Sequence, residues 1–194
     1  LALIPLMAWW FGVGLWQATL MEAGLLLFFL LYGLHRDAAG AEDDLLLLIV
    51  VYTVFVVAAS IFAGAISDRS GHHVALTVAA AIVQGVAALL IAALPGFETT
   101  LAAAALLGIG YGAYMSVSLA LATDLLPFPD DSARDLGIVN VSAALGQLLG
   151  PVLGAGLVAL VGGFWLLFVV GGALSIVGGL MTLAIGKRRR PSTP

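Results

Sequence analysis

Long apolar runs alternate with short polar breaks along the whole chain. Six runs reach membrane length, at roughly 6–34, 44–66, 74–94, 101–124, 136–161 and 163–185. A helix that crosses the hydrocarbon core needs about 20 mostly apolar residues, and each run supplies them. The breaks are polar or turn-forming: His35-Arg36-Asp37 through Asp43, Ser67 through His73, Pro95-Gly96-Phe97-Glu98, Leu126-Pro127 through Asp135, and Gly162-Gly163. In lipid each backbone amide and carbonyl has to be satisfied internally, so the runs read as helices and not as open strands. The expected fold is all-α, a polytopic membrane protein. Its six transmembrane helices fall in residues 1–186, and a basic tail occupies residues 187–194. Spans one to three and four to six start on opposite sides, as inverted three-helix repeats do.

Composition agrees with a bilayer setting. Apolar residues make up 62% of the chain and charged residues 9%, where a soluble domain carries about 25% charged. There is no cysteine, which excludes disulfides and thiolate metal sites. The first apolar run is too long, and too poor in preceding basic residues, for a cleavable signal peptide. The chain begins with Leu1 and not with Met, as expected of a trimmed chain or of part of a longer one.

The cations set the orientation. Lys187-Arg188-Arg189-Arg190 close the chain, and with six spans Arg69 and Arg134 share their side; only Arg36 lies opposite, among Asp37, Glu42, Asp43 and Asp44. By the positive-inside rule both termini are expected in the cytoplasm. The expected location is the plasma (inner) membrane.

A few polar residues interrupt the spans. Glu22 sits near the middle of the first span, where an ionisable group is costly and faces a cavity or a partner. Burial favours its neutral form, which suits a proton carrier; a protonated carboxyl bonded between helices is the plain alternative. Thr19 shares its face. Gln17 points about 140° away by the helical period, and Trp16 lies deep enough to line a cavity. In the fourth span Tyr111, Tyr114 and Ser118 share one face, suited to stacking on and hydrogen-bonding a sugar-like or amphipathic solute. Gly108-x-x-x-Gly112 beside them fits a helix-packing seam equally well. In the fifth span Asn140, Gln147 and Gly154 recur every seven residues. Gly146, Gly150, Pro151 and Gly154 overlap them as a packing surface, with a kink permitted at Pro151. Thr53, Ser60 and Ser67 form a packing stripe on the second span, and Gln84 on the third is a local hydrogen-bonding group.

Soluble chemistry is not expected. No His, Asp and Glu cluster has metal spacing, and His72-His73 diverge on a helix. Gly108-x-Gly110-x-Gly112 lies inside a span and not after a strand, so it is no nucleotide loop. No metal, no cofactor and no nucleic-acid partner is expected. The short basic tail reads as an anchor to lipid headgroups.

The segment Gly64-x-x-x-Asp68-Arg69-x-Gly71-His72-His73, between the second and third spans, resembles the signature cytoplasmic loop of the major facilitator superfamily. That pattern ends in two basic residues, here replaced by two histidines. Asp124-Leu125-Leu126-Pro127 with Ala133-Arg134-Asp135-Leu136-Gly137 is similar to the loop between the family's tenth and eleventh helices. Gly146 through Gly156 resembles its eleventh helix. The resemblance covers nearly the whole chain and implies the carboxy-terminal six-helix half, helices seven to twelve. It implies that the first and fourth spans line a central cavity, the second and fifth face the other half, and the third and sixth are peripheral. It also implies a conformational gate of Gly64, Asp68, Arg69, Gly71, Asp124 and Arg134. In that gate Asp68 pairs with or caps a neighbouring helix end in the outward-open state.

The expected function is secondary active transport of a small solute by alternating access, proton-coupled, as in symport. The expected partners are the solute, the lipid bilayer and a second six-helix half, from the same chain, a partner chain or a second copy. The alternative is a six-helix membrane fragment or interaction subunit without transport of its own. An intramembrane enzyme is disfavoured, because no paired-carboxylate or Ser-His constellation lies within the spans.

Overall fold

A computed structural model describes residues 38–125, 132–161 and 164–187. Every described element is a helix: α1 (Ala38–Ser70), α2 (His73–Ala93), α3 (Phe97–Leu125), α4 (Ser132–Val161) and α5 (Trp165–Lys187). They correspond to the second to sixth expected spans, and the first, residues 6–34, lies outside the described residues. Four helical stretches are long and apolar enough to cross a membrane: Gly40–Ser70, His73–Ala93, Phe97–Ser118 and Trp165–Leu183. α4 adds the shorter apolar stretch Ala144–Leu160. An integral membrane protein follows from these lengths and compositions.

The helix ends correct the expected breaks. Ser67 to Ser70 belong to α1, so the polar break after the second span shrinks to Gly71 and His72. The cause is local. Gly71 has φ 64°, a left-handed conformation that glycine adopts without steric cost. Its amide donates to the Ser67 carbonyl at 2.9 Å, which ends the helix in the αL manner. At the far end of α2 the Leu94 amide still reaches the Leu90 carbonyl at 3.0 Å. Pro95 follows and drives Leu94 out of the helical region, to φ −130° and ψ 78°. α3 then starts at Phe97, with the Thr100 amide and hydroxyl both donating to the Gly96 carbonyl, at 2.9 and 2.8 Å.

α3 is the hub. It packs along α1 on one side and along α2 on another, while α2 turns its far side to α5. α1 and α2, though consecutive, barely touch, because α3 lies between them. α4 makes only slight contact with α3 and α5. Small residues make the close seams possible, as is usual where lipid gives helices no hydrophobic reason to associate. A Cβ on Gly108 would lie 2.5 Å from the Tyr52 carbonyl oxygen, and one on Gly112 would collide with that of Val56. Between α2 and α5 the approach is reciprocal. A Cβ on Gly85 would lie 2.7 Å from the Gly172 oxygen, and one on Gly172 would lie 2.8 Å from the Gly85 oxygen. Apolar packing fills the rest, with Ala87, Ala88 and Ile91 of α2 against Ala103 and Leu107 of α3 and Phe168 of α5.

Two hydroxyls tie these seams. Ser60 Oγ donates to its own helix at Val56 (2.8 Å) and across to the Gly112 carbonyl on α3 (3.1 Å). Ser175 Oγ donates to the Ala81 carbonyl, from α5 to α2, at 2.9 Å.

Candidate functional site

The polar face expected on the fourth span exists on α3, but it is divided. Tyr111 is half-buried and turns to α1, its ring 6.1 Å from that of Tyr52 and tilted by 37°. Tyr114 and Ser118 are buried, at 4% and 2% exposure. They lie one turn apart with their side chains adjacent. Gly110, one turn before Tyr114, faces α2. A Cβ there would lie 2.5 Å from Gln84 Cγ and 2.9 Å from the Ala80 carbonyl oxygen. Gln84 is itself 2% exposed. Gln84 on α2 and Tyr114 and Ser118 on α3 are therefore three buried hydrogen-bonding groups, the amide seated against Gly110, one turn before the phenol. Such groups can exchange hydrogen bonds among themselves or with a solute, and burying them unpaired would be costly.

Gln84 is the residue that the sequence undervalued. It reads there as a local group on a peripheral helix, but it fills the notch that Gly110 leaves. The available signal was a long polar side chain on an Ala-rich helix, with a glycine one turn before Tyr114. Tyr52 was also overlooked; its signal was an aromatic next to the Thr53, Ser60, Ser67 stripe. Within that stripe Ser60 bridges to α3, whereas Thr53 bonds only its own Ile49 carbonyl, at 2.7 Å.

At the turn between α1 and α2, Ser67 is buried (2% exposed). Its hydroxyl shares a 2.6 Å hydrogen bond with Nδ1 of His73. Gly64, on the same helix, meets α3 loosely: a Cβ there would lie 3.8 Å from that of Ser116. Asp68 and Arg69 are exposed, and neither forms an ion pair among the described residues. Asp124 stands in the last turn of α3 and Arg134 in the first turn of α4. Gly71 is exposed with open space around it, so its requirement is conformational and not steric.

On α4, Gly146, Gly150 and Gly154 are buried along one face, while Gln147, Leu148 and Val152 are exposed. Asn140 and Pro151 belong to the same helix. Beside it, Leu153, Gly154 and Leu157 of α4 and Leu167 and Gly171 of α5 border an apolar cavity of about 210 Å³. Glu22, Thr19, Gln17 and Trp16 lie outside the described residues.

The family model for the Major Facilitator Superfamily matches residues 10–194. No match was found among the curated proteins.

Proposed function

The chain belongs to the Major Facilitator Superfamily, and we propose that it works as one six-helix half of a secondary transporter. Membrane transport of a solute is what the family does; alternating access, proton coupling and symport are the finer reading. Tyr114, Ser118 and Gln84 form the polar lining met by a small solute, and Tyr111 stacks beside them. The observation that supports this most is the burial of three hydrogen-bonding side chains on α2 and α3, at 2–4% exposure. Polar groups at membrane depth mark solute and ion pathways more often than lipid-facing surface.

Glu22 is the proposed proton carrier, with Thr19, Gln17 and Trp16 near it on the first span. The gate is Gly64, Asp68, Arg69, Gly71, Asp124 and Arg134. The exposure of Asp68 and Arg69 suits pairing with a second six-helix half, whether from the same chain, a partner chain or a second copy. The setting is the plasma (inner) membrane with both termini cytoplasmic. Alternating access then follows from unequal solute and proton affinities of the two states, since a ligand shifts an equilibrium only by that difference.

The test is uptake into proteoliposomes under an imposed pH gradient. Glu22→Gln is expected to abolish pH-driven uptake and to leave exchange of solute across the membrane largely intact. Unchanged pH-driven uptake in that variant removes the proton role. A second reading has its own support: Tyr114 and Ser118 are nearly closed off from solvent, as packing groups are. In that case the chain is an interaction subunit, and Tyr114→Phe leaves uptake by the assembled membrane unaltered.

A further inference from the structure

Ser67 puts its hydroxyl to a different use from the other hydroxyls of these helices. Thr53, Ser60, Thr77 and Thr182 each donate to the carbonyl four residues back in their own helix, at 2.7, 2.8, 2.8 and 3.2 Å. Ser67 Oγ instead meets Nδ1 of His73 at 2.6 Å, and it has no second partner among the described residues. Ser67 is buried, at 2% exposure, and an enclosed hydroxyl hydrogen left unpaired is costly. The hydroxyl therefore donates and Nδ1 accepts. An imidazole nitrogen accepts only through its lone pair, which requires the neutral ring with its proton on Nε2. Protonation of the ring takes that lone pair away.

The ring cannot adjust by drifting. Buried Thr77 donates to the His73 carbonyl at 2.8 Å, and the Leu76 amide donates to the His72 carbonyl at 3.1 Å, so the backbone that carries the ring is held. Reversal of the bond, with Ser67 turned to the Ala63 carbonyl and accepting from a charged ring, would set a cation at the amino end of α2, which the helix dipole opposes. Other titratable groups share this end of the bundle: Asp68 and Arg69 of α1, His72 of α2, Asp124 in the last turn of α3, Arg134 and Asp135 in the first turn of α4, and Lys187 closing α5. Asp68, Asp124 and Asp135 balance Arg69, Arg134 and Lys187, so the set carries no net charge to draw a proton onto the ring. Ser67 also accepts from the Gly71 amide through its carbonyl, and its two bonds close around the exposed pair Asp68 and Arg69.

We propose that the α1–α2 turn is a proton-sensitive latch, in which neutral His73 holds Ser67 and protonation of the ring releases the Asp68–Arg69 end of α1. Histidine is the side chain that changes charge near neutral pH. A bond made only by the neutral ring contributes at high pH and is lost as the pH falls through the titration of that ring. The latch thus reads the pH on the side of the membrane where this turn lies. It is separate from the coupling proton assigned to Glu22 and does not rest on the transport reading.

Hydrogen exchange of the full chain in lipid nanodiscs tests this. The reporter is the Leu76 amide, read as a protection factor so that the pH dependence of amide chemistry itself is removed. Between about pH 8 and about pH 5 the parent chain is expected to lose roughly fivefold in protection, the worth of one neutral hydrogen bond. Ser67→Ala is expected to show the lower protection at both pH values. His73→Asn sets an amide oxygen near the place of Nδ1 and is expected to keep the higher protection at both, because an amide does not titrate. His72→Gln, at the exposed neighbour, is expected to follow the parent. Protection in the parent that holds steady or rises on acidification overturns the latch, as does loss of the pH response in His72→Gln. The ring itself gives an independent check by nitrogen NMR, with the His73 signals identified by their loss in His73→Asn. At about pH 8 the proton is expected on Nε2, and a proton on Nδ1 overturns the latch. None of these readouts needs a solute. A chain that shows the pH response but carries no solute loses the transport reading alone, and one that transports without the response loses the latch alone.

Discussion

Ser67 and His73 are joined at 2.6 Å across the turn between α1 and α2, so the last turn of one helix is fastened to the first residue of the next. The link runs parallel to the αL bond from the Gly71 amide to the Ser67 carbonyl. One serine therefore holds the turn twice, by its backbone and by its side chain. Ser67→Ala removes the second hold only. A neutral hydrogen bond contributes about 1 kcal/mol, roughly fivefold in a local opening equilibrium. Hydrogen exchange at the Leu76 amide, which bonds the His72 carbonyl at 3.1 Å, is expected to quicken by that factor. An unchanged rate would show that Gly71 alone sets the turn.

Gly71→Ala addresses the other hold. The substitution meets no neighbour, so its cost is the left-handed backbone alone, about 1–2 kcal/mol. Thermal unfolding in detergent should show a lower midpoint for Gly71→Ala. A smaller loss is expected for Gly71→Asn, since asparagine tolerates this region better.

Gly112→Val drives a side chain into the Val56 carbonyl and the Ser60 hydroxyl. Overpacking of this kind costs about 1–3 kcal/mol. Gly178→Val on α5, where a Cβ meets nothing within 4 Å, is expected to unfold close to the parent chain. Equal losses for the two variants would mean that the α1–α3 seam yields without strain.

The interhelical hydroxyls should matter little one at a time. Membrane hydrogen bonds of this type average about 0.6 kcal/mol, so Ser60→Ala and Ser175→Ala each lower stability slightly. Because they sit on different seams, α1–α3 and α2–α5, their effects are expected to add in the double variant. Chemical unfolding of the four chains measures this.

Tyr114→Phe separates solute contact from packing. The ring stays and the hydroxyl goes, so a packing role predicts an unchanged KM for uptake. A solute contact predicts a KM several-fold higher with the fold intact by circular dichroism. Gln84→Leu is expected to act in the same direction, since Gln84 fills the notch at Gly110 on the same face.

Four of the helices were legible in the hydropathy because lipid sets a minimum apolar length: the run at 74–94 became α2 at His73–Ala93. The end of α1 was not, since apolar content marks where the bilayer stops and not where the backbone turns. A left-handed glycine decides that, and it carried α1 on to Ser70. The Gly108-x-x-x-Gly112 seam was visible as a spacing, but its partner on α1 was not. Which helix fills a notch depends on packing between distant segments, and for the same reason Gln84 looked peripheral.

The α2–α5 seam has a consequence for how this molecule can vary. At Gly85 and Gly172 the two backbones come so close that a Cβ on either glycine would press on the other's carbonyl oxygen. Glycine is already the smallest residue, so a substitution on one helix has no smaller partner to answer it on the other. A side chain at Gly85 would press on Ile176 as well, and one at Gly172 on Leu89 and Ala88, so a larger residue at either glycine forces its neighbours to give way. Any rearrangement of α2 against α5 therefore has to be a shift of whole helices, with no room at this crossing for a local repacking of side chains alone.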